Sequence, residues 1–203
     1  MLRNLAADAL GISDIGSVIK PADYNKVEAD DYVIHEEKEK IYFLIKSKTD
    51  EYCFTNLALI HLDGSSAVSK KRMLIRLDYA HNFIQNVRLE TAGRVDLDIE
   101  IKFAIGDKTY SIDVNKQFLA ELKDLYKSLI RISKIQQENN YFLQFAQTSL
   151  NLTATTLGRS SGSGSQVEQF QAINQYAFNW LRQTHETYVR KDFGEVFEKF
   201  IRE

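Results

Sequence analysis

Between Ile41 and Val114 the sequence consists of short runs rich in Ile, Val, Tyr, Phe and Leu, and the last of them leads directly into one strongly amphipathic helical pattern. The runs EKIYFLIKS, DEYCFTNLALIHLD, KKRMLIRLDYA, FIQNVRLET, VDLDIEIKFAI and KTYSIDV have strand composition. Thr49-Asp50, Asp63-Gly64, Ala92-Gly93 and Gly106-Asp107 punctuate them, and such short connections predict an antiparallel meander. In the fifth run Leu97, Ile99, Ile101 and Phe103 alternate with Asp96, Asp98, Glu100 and Lys102, so one face meets the core and the other meets water. In NKQFLAELKDLYKSLIRISKI, the residues Phe118, Leu122, Leu125, Leu129 and Ile132 recur at helical spacing. A meander followed by one apolar-faced helix predicts an α+β fold, a curled sheet or small antiparallel barrel with its open side plugged by that helix.

The chain has 203 residues, 44% hydrophobic and 27% charged, with a formal net charge of -2. It is long enough to bury a core without disulfides or structural metal, and it lacks the basic excess of a nucleic-acid binder. The single cysteine, Cys53, cannot form an intrachain disulfide and lies in a β-prone run, which points to a reducing, cytoplasmic setting. The first residues do not read as a signal peptide, and no apolar run approaches the roughly 18 residues that mark a membrane span. Residues 1–40 are acidic. Leu2, Leu5, Ala6, Ala9 and Leu10 followed by Gly11 predict a short helix over 2–10, and Pro21 marks a break between elements.

Strand texture ends at Gln136, and the chain divides into residues 1–136, the strand-rich part with its helix, and 137–203, a helical extension. In the extension, Tyr141, Phe142, Phe145, Ser149 and Leu152 form one helical pattern, and Phe170, Ile173, Ala177, Trp180, Leu181 and Tyr188 form another. SSGSGSQ at 160–166 has linker composition, and Ser165 to Glu168 has the form of a capping box. Asp192 to Glu195 predicts the start of a last short helix. Two helices offer each other one seam, which cannot cover this much aromatic surface. That surface docks on the barrel or on another subunit, and Phe145, Phe170, Trp180, Phe193 and Phe197 are candidate subunit-interface residues, with docking onto the barrel of the same chain as the alternative. If the extension serves only assembly, a chain cut near residue 138 keeps a folded barrel.

Lys70, Lys71 and Arg72, with Arg76 beyond them, form a candidate anion-binding patch at a hairpin edge, suited to a phosphorylated head group. Their alternative role is to guard a strand edge and to meet carboxylates on neighbouring strands. Residues 41–136 hold 15 Lys and Arg against 12 Asp and Glu, a weak attraction for an anionic membrane. Asp96, Asp98 and Glu100 share one strand face, and a straight strand spreads them about 7 Å apart, which suits salt bridges with Arg88, Lys102 or Arg76 better than calcium. His35, His61, His81 and His185 show no metal-ligand spacing, and no catalytic motif or cofactor signature is present. Cys53 reads as a buried, inert thiol. The hydroxyls of Thr148, Ser149, Thr153, Thr155 and Thr156 suit either a pore lining or helical back-bonding.

Phe54-Thr55-Asn56, Glu90-Thr91-Ala92-Gly93 and Asp96-Leu97-Asp98-Ile99-Glu100, with Lys70-Lys71-Arg72 between them, resemble the bacterial pleckstrin-homology-like (PH-like) domain family over roughly residues 14–133. Ser69 stands where a glycine is usual in that family. Residues from about 139 to 203 are similar in layout to the YvbH-like oligomerisation region. The resemblance implies a barrel of two nearly orthogonal antiparallel sheets capped by a C-terminal helix, homo-oligomers, often rings, and no enzymatic activity. The resulting expectation is a non-enzymatic PH-like scaffold whose partner is itself. The alternative is a peripheral membrane or phosphate-ligand module built on Lys70, Lys71 and Arg72.

Overall fold

The computed structural model describes residues 14–64, 72–91, 98–157 and 166–201. The strands are β1 (Ser17–Val18), β2 (Ile41–Lys46), β3 (Glu51–Thr55), β4 (Ala58–Asp63), β5 (Met73–Asp78), β6 (Ile84–Glu90), β7 (Asp98–Ile105) and β8 (Lys108–Asn115). They form two antiparallel sheets, ordered β1-β2-β3-β4-β5 and β6-β7-β8. The expected helix over 2–10, the Ala92-Gly93 turn, the Ser165 cap and all but the last residue of the SSGSGSQ linker lie outside the described residues.

The run DEYCFTNLALIHLD forms two strands where one was expected. Thr55 Oγ1 accepts hydrogen bonds from the backbone N–H groups of Leu57 (3.1 Å) and Ala58 (2.9 Å), reversing the chain between β3 and β4 without glycine or proline. The run is continuously apolar because both faces of this sheet are covered. Tyr52, Phe54 and His61 face the second sheet, where Phe54 meets Phe103 with ring centroids 6.0 Å apart and His61 meets Tyr110 at 5.4 Å. Cys53, Ile60 and Leu62 face the other way and form a core with Leu44, Val27, Ala29 and Val33. β7 and β8 are covered on one face only, and burial alternates along both.

That outer cover is the acidic N-terminal stretch, folded as three 3-10 turns, Pro21–Lys26, Glu28–Tyr32 and His35–Glu37. Pro21 opens the first of them, where its missing N–H costs nothing. Two buried carboxylates fasten this cover. Glu51 accepts from the Ala29 N–H (2.7 Å) and from Lys46. Glu39 accepts from the Ile34 N–H (2.8 Å), Thr55 Oγ1 (2.5 Å) and Arg76 (3.1 Å). Each buried charge thus has partners, as a low-dielectric setting requires.

Gly16 joins the two sheets. Its N–H donates to the Asp113 carbonyl (2.8 Å), its carbonyl accepts from the Asn115 N–H (2.9 Å), and a Cβ there would lie 2.7 Å from the Ile45 side chain. After β8 a 3-10 turn leads into α1 (Leu119–Leu157), whose Leu122, Leu125, Leu129 and Ile132 are wholly buried, as their spacing predicts. Ser133 Oγ donates to the Ile84 carbonyl (2.6 Å) and ties this part of the helix to β6.

The remaining helices are α2 (Gln166–Tyr188) and α3 (Gly194–Phe200). The chain divides into two compact units, one comprising residues up to 133 together with 191 onward, the other residues 134–190. The boundary expected at 136/137 therefore falls inside a continuous helix, and residues 191–201 belong to the barrel unit. Phe193 and Phe197, expected at a subunit interface, are wholly buried within that unit. Phe197 stacks on Tyr42 at 5.5 Å, and Phe193 meets Tyr79 edge-on at 5.8 Å. This corrects the interface assignment of these two residues, whose rings complete the core of their own barrel. Phe197→Ala is expected to lower the unfolding free energy by about 3–5 kcal/mol, and a chain ending at residue 138 is expected to unfold at lower urea concentration than the full chain.

Candidate functional site

Asn56 fixes α3 to the barrel. Its side-chain oxygen accepts from the Lys40 N–H (2.8 Å), its amide donates to Asp192 (2.7 Å), and its backbone carbonyl accepts from the Phe193 N–H (2.8 Å). Asp192 also accepts from the Gly194 N–H (2.7 Å), but the cap of α3 is Phe193, one residue later than the start the Asp192 to Glu195 pattern predicts. A Cβ on Gly194 would stand 2.9 Å from the Tyr42 hydroxyl, so a larger residue there requires that side chain to shift. That hydroxyl donates to Glu198 (2.7 Å), and burial together with this carboxylate raises its pKa.

Several of the predicted polar side chains meet partners within the fold. Lys70 and Lys71 lie outside the described residues. Arg72 pairs with Glu28 at 3.2 Å, and Arg76 is shared between Glu39 (3.1 Å) and Asp78 (2.8 Å). In the acidic ladder, Asp96 is outside the described residues, while Lys102 bridges Glu100 (2.8 Å) and Glu90 (3.1 Å). The bond from Lys102 and one from Ser111 hold the Glu100 carboxyl below its usual range. Cys53 is wholly buried, and burial pushes its thiol far above the range in which a thiolate forms. No group of three or more candidate metal ligands occurs among the described residues.

His61 and Asp50 form the one acid-histidine pair in a buried setting among the described residues, with Nε2 and Oδ1 3.1 Å apart. The imidazole is stacked on Tyr52 at 4.4 Å and met edge-on by Tyr110. Geometry therefore fixes the ring as part of the core. An apolar cleft of about 500 Å³ lies beside β1, between Ile19, Tyr24, Tyr42, Phe118, Glu121 and Ile201.

The helical unit has a different surface. Phe142 and Tyr188 stack at 5.5 Å, but Phe145 and Phe170 remain 66% and 70% exposed, and Trp180 is half-buried. The hydroxyls of Thr148 and Thr155 donate to the carbonyls of Gln144 (2.9 Å) and Asn151 (2.8 Å), the back-bonding expected of such a segment. A further signal is present in the sequence. From Asn139 to Leu181 the only charged residues are Arg159 and Glu168, in a chain that is 27% charged. Depletion of charge with enrichment of aromatics marks the centre of protein interfaces.

Residues 9–133 match the bacterial PH domain family. The chain belongs to that family. Residues 144–203 match the YvbH-like oligomerisation region, which here includes both α2 in the helical unit and α3 in the barrel unit. The chain is 52% identical over 202 residues to the uncharacterized protein YvbH of Bacillus subtilis (strain 168), covering 99% of each. It is 30% identical over 102 residues to the uncharacterized protein YozO of the same organism, covering 50% of this chain and 83% of YozO. The crystal structure of a PH domain containing bacterial protein from Exiguobacterium sibiricum 255-15 matches with a TM-score of 0.86 and 54% identity, over 93% of this chain and all of that one.

Within this PH-like barrel the Asp50 carboxyl is held below its usual range, first by the hydrogen bond from His61 and further by Thr49 and the Arg72 charge, against an opposing effect of burial. The native state thus binds fewer protons here than the unfolded chain. The stabilisation is present above the unfolded pKa of about 3.9 and is lost as pH falls through the lower native value. Asp50→Asn is expected to be less stable than the native chain near neutral pH, with the difference in urea midpoint shrinking below about pH 4.

Proposed function

We propose that this protein is a non-enzymatic, self-assembling PH-like scaffold of the cytoplasm, in which the helical unit brings copies together. The observation that carries the reading is the nearly uncharged stretch from Asn139 to Leu181 with its exposed aromatic side chains. A surface of that composition is costly to leave in water and has few charges to select a foreign partner. The match of residues 144–203 to an oligomerisation region supports the same reading. If the contact joins two different patches and closes on itself, the assembly is a ring.

The chemistry of the described residues supports a scaffold over an enzyme. The Cys53 thiol is buried, and the His61 imidazole is held between two tyrosine rings. The described cations of the basic patch, Arg72 and Arg76, already meet carboxylates, so they do not favour a phosphate-binding role. A buried single cysteine agrees with a cytoplasmic setting. No helix among the described residues is long and apolar enough to cross a membrane.

Light scattering of the full chain tests the proposal. The expected mass is a multiple of the 23.4 kDa chain, falling on dilution. A single species of monomer mass at every concentration sinks it.

A further inference from the structure

The surface that joins copies can be narrowed to one stripe, an inference that rests on the self-association proposed above. Between Tyr141 and Leu152, α1 carries two apolar stripes. Leu143, Ala146 and Leu150, spaced by three and four, are half-buried. Tyr141, Phe145 and Leu152, spaced by four and seven, are 57%, 66% and 65% exposed. At about 100° per residue the two stripes lie on nearly opposite sides of the helix. A helix buries two opposed stripes only with a neighbour on each side, and among the described residues the helical unit contains one other helix.

We infer that the Tyr141, Phe145 and Leu152 stripe of α1 is the contact surface for the helical unit of a second copy. Tyr141 and Phe145 together expose roughly 250 Å² at about 200 Å² per aromatic side chain, enough for the apolar centre of a contact whose full extent, near 800 Å² per partner, draws on further residues.

Chemistry selects the occupant. From Asn139 to Leu157 there is no Asp, Glu, Lys or Arg, so a charged partner finds nothing to pair with. Thr148 and Ser149 flank the stripe at about 100° per residue, and a hydroxyl both donates and accepts, which suits this surface to a second copy of itself. A lipid surface is the poorer match, because helices lying in the head-group plane carry Lys and Arg along the polar face, and this segment has none.

The test uses the full chain. Phe145→Asp combined with Leu152→Asp places two charges on the stripe, at exposed positions where circular dichroism is expected to stay unchanged. Association measured by light scattering across a dilution series is expected to weaken at least tenfold, while Met73→Asp, at an exposed position on β5 of the barrel, leaves it unaltered. A second measurement does not depend on the double variant folding. Cys53 is wholly buried, so Thr148→Cys and Ser149→Cys, which leave Tyr141, Phe145 and Leu152 in place, supply accessible thiols beside the stripe. A mixture of the two variants treated with a short bis-maleimide is expected to give covalent dimers at protein concentrations where the native chain is multimeric.

A native chain that is multimeric, with a double variant of equal mass and no cross-link, overturns the stripe and leaves self-association standing. A monomeric native chain removes both. Binding of the native chain to neutral phosphatidylcholine vesicles that the double variant loses, without change in mass, assigns the stripe to lipid and overturns the inference.

Discussion

The turn at Thr55 and Asn56 holds together parts of the chain that are far apart in sequence. The threonine hydroxyl reverses the chain and engages the buried Glu39 carboxylate, which in turn receives Arg76 from β5 and the backbone of Ile34. The asparagine next to it binds Lys40 on one side and Asp192 with Phe193 on the other. Through these two residues the β3–β4 corner, the N-terminal cover and α3 share one set of hydrogen bonds. Partly satisfied polar networks are costly in low dielectric, so these bonds stand or fall together. That gives a physical reason for Phe-Thr-Asn to stand at this corner, where Phe54 fills the barrel and the next two residues organise its rim.

The legibility of the sequence followed the number of covered faces. β7 was readable because its buried Ile99, Ile101 and Phe103 alternate with half-exposed neighbours. β3 and β4 were read as one strand because both faces of their sheet are covered, which removes the alternation, and because the turn between them uses a hydroxyl and an amide in place of glycine. In the sequence the cover shows only as an acidic stretch. Its Val27, Ala29 and Val33 are scattered among charged residues in 3-10 turns, whose threefold repeat is too short to show a period. α1 looked like two helices because its apolar pattern changes character near Gln136, although neither glycine nor proline interrupts it from Leu119 to Leu157.

Aromatic residues in the tail were legible as sticky and illegible as to what they stick to. Phe193 and Phe197 share the composition of Phe145 and Phe170, yet the former lie inside the barrel unit and the latter remain in water. The difference lies in the local company. Asp192 and Gly194 give α3 a hydrogen-bonded start and a close approach to Tyr42, whereas the segment around Phe145 has amides and hydroxyls without charge. The charge gap was visible in the sequence all along, but aromatic spacing alone does not reveal it. Of the basic patch, the described Arg72 and Arg76 face carboxylates, the alternative role that the sequence also offers.

The return of residues 191–201 to the barrel makes the helical unit an insertion within the barrel's own chain. A ribosome delivers the chain from the N-terminus at about 5–20 residues per second, so the strands and the whole helical unit emerge before Phe193 and Phe197 exist. During those seconds the barrel has Tyr42 and Tyr79 waiting without the rings that cover them, while the helices are already free to meet those of a nascent neighbour. The barrel core is therefore completed only after the whole helical unit has been synthesised.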